Sequence, residues 1–329
     1  MKEDYYILSS GTLRREGSTV YFENETERRV IPVEQIGTIY GYGQLTVSSG
    51  VVGLLCKAGI PVHFFGYYGN YEGTLWPKET LVSGDVIVKQ AQHYSDMDKR
   101  MVLAKAFVDG AAQNILKNLT YYARTIKALE EPISGILLDL NKIGDMSTPP
   151  ELMSVEGRIR ATYYKALDQM FPDGYKIENR TRQPPENRMN ALISFGNSLC
   201  YGAVISEIYS TQLHPAISYL HEPSARRFSL ALDVSEIFKP ILVDRVIFKL
   251  VNKNMLSDTS FNGEMGDMLL SDSGRKLFLK EWHEKLETTI EHKSLEKRVS
   301  YKRLIRLELY KLIKHILDEA RYKPLVMWW

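Results

Sequence analysis

VKQAQHYSDMDKRMVLAKAFVDGAAQNILKNLTYYARTIKA, residues 88–128, is the stretch that decides the architecture. Gly110 is its one interruption and it has no proline, so it reads as mostly helical. The sequence before it behaves differently. Tyr5-Tyr-Ile-Leu8, Thr12-Leu-Arg-Arg-Glu16 and Thr19-Val-Tyr-Phe22 are short runs separated by Gly11 and Gly17, a pattern of antiparallel hairpins. Arg29–Val33 and Ile36–Gly41 continue it, and Pro61–Phe65 reads as a buried strand ahead of a turn at Tyr68–Gly73. One helix interrupts the strands: Ser48 or Ser49 caps residues 50–58 and Gly59 stops them. Strands this short close a core by pairing as a small sandwich. After residue 88 the helical pattern returns at 188–208, 228–255 and 300–320, where Ile305, Leu309, Leu312 and Ile316 repeat at helical spacing. Segments 172–187 and 257–274 are rich in Pro, Asn, Asp, Ser and Gly and read as loops. The expected fold is therefore α+β and multidomain, with an N-terminal β-sandwich over 1–85 and an all-α domain over 86–329.

Composition narrows the class. A chain of 329 residues exceeds most single cores, and 44% hydrophobic with 25% charged residues is ordinary for a globular protein. A formal net charge of +2 excludes a polycation, so any nucleic-acid surface has to be a local patch. Cys56 and Cys200 lie in apolar surroundings, which argues against a disulfide framework and for a reducing cytoplasm. The opening Met1-Lys-Glu-Asp-Tyr5 lacks an apolar signal core and no apolar run of about 18 residues exists anywhere, so neither secretion nor membrane insertion is expected.

Three local features carry chemistry. Thr148-Pro-Pro-Glu151 has the form of a capping box opening a helix that runs to about Met170. Leu152, Val155, Ile159, Tyr163 and Leu167 form its apolar face, and Glu156 points at or beside that stripe. A carboxylate there must be paired, protonated or bound to a cation; the plain alternative is an i,i+4 pair with Arg160 on a solvated edge. Gly157 next to it leaves room for a backbone or a substrate. Second, Asp233 and Glu236 are three residues apart, so on a helix they share a face and can converge on one cation, with His221 reaching in from the preceding turn. Carboxylates with one imidazole suit Mg²⁺ or Mn²⁺ better than structural zinc. Equally, both acids could be surface charges in the first turns of a helix. Third, Lys297, Arg298, Lys302, Arg303, Arg306, Lys311 and Lys314 make a basic helix with Glu308 as counter-charge, and Arg180, Arg182 and Arg188 flank a Pro-rich loop. These are phosphate contacts or a solvated face. Trp328 and Trp329 either stack on bases or pack in a core.

Several ordered blocks carry a family resemblance: Leu8-Ser-Ser-Gly11-Thr-Leu, Met153-Ser-Val-Glu156-Gly157-Arg158-Ile-Arg160, the Arg182–Ser194 segment, Leu213-His214 to His221-Glu222, and Ser229-Leu-Ala-Leu-Asp233-Val-Ser-Glu236-Ile-Phe-Lys-Pro240. Together they resemble the CRISPR-associated adaptation endonuclease, the spacer-acquisition integrase that is first of the numbered Cas proteins. The resemblance implies a β-sandwich followed by a helical catalytic domain, and a homodimer formed through the β domains. It also implies a small partner, the second numbered Cas protein, and double-stranded DNA, both as the incoming fragment and as the CRISPR repeat. By position the metal ligands fall on Glu156, His221 and Glu236, with Mg²⁺ or Mn²⁺ as the ion. Glu236 stands where the family commonly has Asp, and the longer side chain shifts the ion's position or preference. Asp233 stands behind a ligand or replaces one. Arg226, Arg227 and Asn190 are the candidates for gripping phosphate, with Arg160, Arg182, Lys302 and Arg303 as further nucleic-acid contacts. The implied reaction is attack of a 3′-hydroxyl on a phosphodiester, in a prokaryotic cytoplasm. A metal-dependent nuclease acting on branched or single-stranded DNA or RNA shares every ligand, and a non-catalytic DNA-binding scaffold needs none.

Overall fold

The computed structural model describes residues 3–78, 81–223, 228–263, 266–292 and 295–328. The chain divides into two compact units, Met1–Leu81 and Val82–Trp329.

The first unit contains β1 (Glu3–Ile7), β2 (Gly11–Glu16), β3 (Thr19–Glu23), β4 (Arg28–Pro32), β5 (Ile36–Gly41), β6 (Leu45–Val47), α1 (Ser49–Ala58), β7 (Val62–Phe65) and β8 (Tyr71–Leu75). They form two four-stranded sheets, ordered β1-β5-β7-β8 and β4-β3-β2-β6. β2, β3 and β4 pair as antiparallel hairpins, with Leu13 opposite Phe22 and Val20 opposite Ile31. The other sheet departs from the expected antiparallel pattern: β1, β5 and β7 run parallel, and only β7–β8 is antiparallel. Parallel neighbours need a crossover connection, and α1 supplies it between β5 and β7. Its ends are written in the sequence. The Ser48 side chain accepts a hydrogen bond from the Val51 amide, and Gly59 closes the helix in the left-handed region at φ 67°. Leu13, Val20, Phe22 and Ile31 from one sheet share an apolar cluster with Ile7, Ile36, Ile39 and Val62 from the other and with Val51 and Leu55 of α1.

The second unit holds α2 (Gly84–Ser95), α3 (Met97–Ala123), α4 (Glu130–Lys142), α5 (Pro149–Leu167), α6 (Arg188–Tyr209), α7 (Ser229–Phe238), α8 (Val243–Asn252), β9 (Phe261–Asn262), β10 (Leu269–Leu270), α9 (Asp272–Glu287), β11 (Thr289–His292), β12 (Lys297–Ser300) and α10 (Tyr301–Ile316). The expected all-α character needs correcting, because β9–β10 and β11–β12 form two small antiparallel sheets, the second pairing Ile290 with Val299. The 88–128 stretch also breaks at Asp96. Its backbone N–H closes α2 on Gln92, and its carboxylate accepts from the Lys99 amide to open α3. Pro240, which has no N–H to donate, separates α7 from α8. α6 is long and apolar enough to cross a membrane, against the expectation that no such run exists. Yet 83% of its most apolar window is buried within the molecule, and it forms the core of this unit.

Beyond α10 the chain runs back as an extended strap. Tyr322 Oη and the Leu325 amide both donate to Glu308 Oε1, at 2.6 and 3.0 Å. The Met327 amide donates to Asn114 Oδ1 at 2.9 Å, while Asn114 Nδ2 donates to Leu325 O and to Ile237 O of α7. Pro324 lies so close to α3 that a Cβ on Gly110 would stand 2.5 Å from it. Trp328 meets the His292 ring edge-on at 6.0 Å, and Trp329 lies outside the described residues.

Candidate active site

Glu156 owes its place to the start of α5. The capping box forms as expected: Glu151 Oε2 accepts from the Ser147 and Thr148 amides at 2.8 and 3.1 Å. With the helix phase set, Leu152, Val155, Ile159 and Tyr163 are buried and Glu156 emerges at the edge of their stripe. Arg160, one turn on, pairs with Glu156 and also with Glu236 of α7. The i,i+4 pairing is present, but the edge is no solvated one: Arg160 and both carboxylates are largely withdrawn from water. Glu236 is further held by Lys239, whose Nζ is 2.5 Å from Oε1. Its Oε2 is buried and meets the Arg160 guanidinium as an ion pair. A Cβ at Gly157 would have no atom within 4 Å, so the helix beside Glu156 is open and no backbone packs there.

Asp233 does something other than share an ion with Glu236. It is fully buried, and its Oδ2 accepts from the Tyr219 and Leu220 amides at 2.7 and 3.0 Å. Its Oδ1 accepts from the His221 amide at 2.9 Å and stands 2.8 Å from His221 Nδ1. A carboxylate with so many donors has no lone pair left for a metal, so the alternative-ligand reading of Asp233 is set aside. Instead it folds the 219–221 turn and aims the imidazole. Because the carboxylate only accepts, Nδ1 carries the proton in the neutral ring and Nε2 keeps the free lone pair.

The rest of the loop is fixed by residues that sequence reasoning missed. Fully buried Gln90 of α2 donates to His214 O and Ile217 O at 2.9 and 2.8 Å and accepts from the His214 amide. Arg100 of α3 donates to Tyr219 O at 2.8 Å and to Glu222 Oε1 at 2.6 Å, with its guanidinium over the Tyr94 ring. The available signal was a polar residue on the buried face of an amphipathic helix, which has to find partners.

Beneath the carboxylates lies a polar layer. Tyr163 Oη donates to Asp244 Oδ2 at 2.8 Å. Burial pushes the Asp244 carboxyl up to about 6, against the pull of Tyr163, Arg160 and Lys239. Burial, and then the charge of Arg160, bring the Lys239 ammonium down to about 8. Burial alone would lower Arg160 as well, but Glu156 together with Tyr164 and Asp244 outweighs it and leaves Arg160 raised.

The other predicted residues separate. Asn190 is fully buried, and its amide holds the loop before α6: Oδ1 accepts from Arg180 Nη1 and the Thr181 amide, and Nδ2 donates to Asn179 O. It has no surface with which to grip a phosphate, and the expectation is corrected. Arg182 is exposed, as is Arg303, whereas Lys302 is half-buried. Arg306 and Lys311 of the basic helix are committed to the buried acids Glu207 and Glu308, at 2.5 Å each, which shrinks the expected basic face. Arg226 and Arg227 lie outside the described residues.

The expected triad is therefore partly assembled. Glu156 and Glu236 meet on one cation, Arg160, while His221 is turned on Asp233. Among the described residues no three His, Cys, Asp or Glu side chains stand together closely enough to hold an ion. The donor set nevertheless fits a hard divalent cation. Two carboxylates from different helices already converge on a single positive charge, and the imidazole presents Nε2.

Comparison with known proteins places these features in a lineage. The profile of the family described as CRISPR associated protein Cas1 matches residues 5–284. The chain is 54% identical to a CRISPR-associated protein Cas1 of Methanobrevibacter ruminantium over 328 residues, covering 100% of this chain and 99% of the relative. It is 51% identical to the CRISPR-associated endonuclease Cas1 of Methanothermobacter thermautotrophicus, covering 100% of this chain and 96% of that protein. The structure of TM1797, a Cas1 protein from Thermotoga maritima, superposes with a TM-score of 0.89 at 39% identity, covering 98% of this chain and all of that one. The protein thus belongs to the CRISPR-associated Cas1 family.

Proposed function

We propose that the protein is a metal-dependent DNA endonuclease and integrase that inserts short duplex fragments into a CRISPR array. One observation carries the reading: Glu156 and Glu236, from two different helices, converge on a shared cation. The 51% identity to a protein named as an endonuclease supports a nuclease chemistry. Glu156, Glu236 and His221 Nε2 are the groups that would hold Mg²⁺ or Mn²⁺. Such an ion, when bound, lowers the pKa of an attacking hydroxyl and offsets charge on the phosphoryl oxygens.

The chain's own residues do the remainder. Asp233 fixes the tautomer of His221, and Gln90 and Arg100 hold its loop, so the imidazole needs no reordering when substrate arrives. Open backbone at Gly157 admits a phosphodiester alongside Glu156. In the joining step a 3′-oxygen forms a new bond to phosphorus as the bond to the departing 3′-oxygen breaks. One proton leaves the attacking hydroxyl and one is taken up by the leaving oxygen, so the exchange of esters is neutral. Water as nucleophile gives cleavage at the same site. The reading includes a homodimer, the small second Cas protein as partner, double-stranded DNA as fragment and target, and the cytoplasm of a prokaryote as the setting.

The test incubates the protein and its small partner with Mn²⁺ or Mg²⁺, duplexes bearing free 3′-hydroxyls and a supercoiled repeat plasmid. Covalent joining that is lost in Glu156→Ala and His221→Ala supports the reading. Metal-dependent cleavage without joining identifies a plain nuclease, and unchanged activity in both variants removes the site.

A further inference from the structure

The arrangement of Arg160 and Lys239 goes beyond the metal site itself. Their side chains are 16% and 14% exposed, and that of Glu236 is 8% exposed, so these charges meet away from bulk water. Glu156 and Glu236 bring two negative charges, and Arg160 and Lys239 bring two positive ones. The guanidinium occupies the position between the carboxylates that a shared metal ion would take. A divalent ion entering with both cations in place would leave a surplus of buried positive charge, which a low-dielectric site does not tolerate. Either the ion stays out or Arg160 withdraws.

A withdrawn arginine needs a new acceptor. Its planar fork matches phosphate as well as carboxylate. The open approach lies on its own helix: Gly157, one turn before Arg160, is exposed and has space where a side chain would be. A DNA phosphodiester arriving there brings the negative charge that draws Arg160, and with it Lys239, off the carboxylates. We propose that Arg160 and Lys239 are internal counter-cations that hold the metal-binding carboxylates closed in the free protein and transfer to a DNA phosphate, so that metal ion and DNA bind cooperatively. The inference rests on the metal-site reading above. Linkage makes it reciprocal, because DNA that raises metal affinity has its own affinity raised by the metal to the same degree. It also leaves the site without a competent ion until the substrate is present.

Isothermal titration of Mn²⁺ tests this without turnover, using wild type, Arg160→Gln and Lys239→Gln, each alone and with a duplex whose 3′ ends are dideoxy. Wild type should bind Mn²⁺ weakly alone and on the order of tenfold more tightly with the duplex. Arg160→Gln should bind Mn²⁺ more tightly alone and respond less to DNA, with Lys239→Gln in the same direction by a smaller factor. Arg160→Lys, which keeps the charge, should restore most of the coupling and guards against a folding defect in the glutamine variant. Equal Mn²⁺ affinity in wild type and both glutamine variants without DNA, or weaker binding in Arg160→Gln than in Arg160→Lys, overturns the proposal. Glu156→Gln separates this failure from that of the site. If it leaves Mn²⁺ binding intact, the site reading falls too; if it abolishes binding while Arg160 and Lys239 have no influence, only the counter-cation role falls.

Discussion

The two sides of the candidate site are built on different principles. On the His221 side hydrogen bonds are complete: Asp233 accepts from the Tyr219, Leu220 and His221 amides and faces the ring, and Gln90 and Arg100 secure the carbonyls around it. On the Glu236 side the contacts are ion pairs, made by two long flexible cations, Arg160 and Lys239. A satisfied network is costly to move, because each lost bond exposes a buried donor. Ion contacts to arginine and lysine can be replaced by another ion of like charge. One side is therefore fixed before any ligand arrives, and the other is arranged to change partners.

The largest way to break this contrast is Glu236→Ala. It strands Lys239 as a buried charge and leaves Arg160 with Glu156 alone, with an expected loss of about 3–5 kcal/mol in urea unfolding and no detectable strand joining on gels. On the fixed side, Asp233→Asn removes the charge that gathers the loop amides and should cost roughly 3 kcal/mol, read by the same unfolding curve. Unchanged stability there would mean the loop is held chiefly by Gln90 and Arg100.

A pH experiment sharpens the ionic side. Asp244 keeps its proton up to about 6 in the folded protein, against about 3.9 for an unfolded aspartate. The raised value means that its favourable contribution is complete below pH 4 and is lost as pH rises through 6. Asp244→Asn, which stays neutral, should match wild type at pH 4 and exceed it by on the order of 2 kcal/mol above pH 7. Thermal melts across that range decide it, and a gain independent of pH would point to packing instead. Arg100→Gln should cost about 1–2 kcal/mol and disturb the His221 imidazole resonances in NMR while leaving Glu236 variants' metal behaviour alone. The smallest effect is a gain: Gly157→Ala adds a methyl into open space and should stabilise α5 by about 0.8 kcal/mol, whereas Gly157→Leu should weaken DNA binding by obstructing the approach.

Local chemistry was legible and distant pairing was not. The capping box at Thr148, the Ser48 cap and the Gly59 stop depend on neighbours in sequence, and each forms where the residues call for it. Glu156 stood out because an acid beside an apolar stripe demands a partner, and Arg160 could be named from the helical spacing. Its second partner, Glu236, is 76 positions beyond it in the chain's numbering, and no period connects them. The same limit explains Asp233, whose i,i+3 relation to Glu236 suggested a common target. The returning loop claimed one carboxylate and α5 the other. The parallel pairing of β1 with β5 was hidden for the same reason, whereas Asn190 was hidden by the irregular loop just before α6, whose Asn179, Arg180 and Thr181 it holds.

The strap beyond α10 has a practical bearing. A single amide, that of Asn114, joins Leu325 and Met327 to the carbonyl of Ile237, the residue after Glu236. Mechanical load on the carboxyl end is thereby transmitted to the helix that presents a candidate ligand. A purification tag or fluorescent fusion placed there would load the helix that carries Glu236 through the Asn114 amide, so the strap is best left unburdened in any assay of the candidate site.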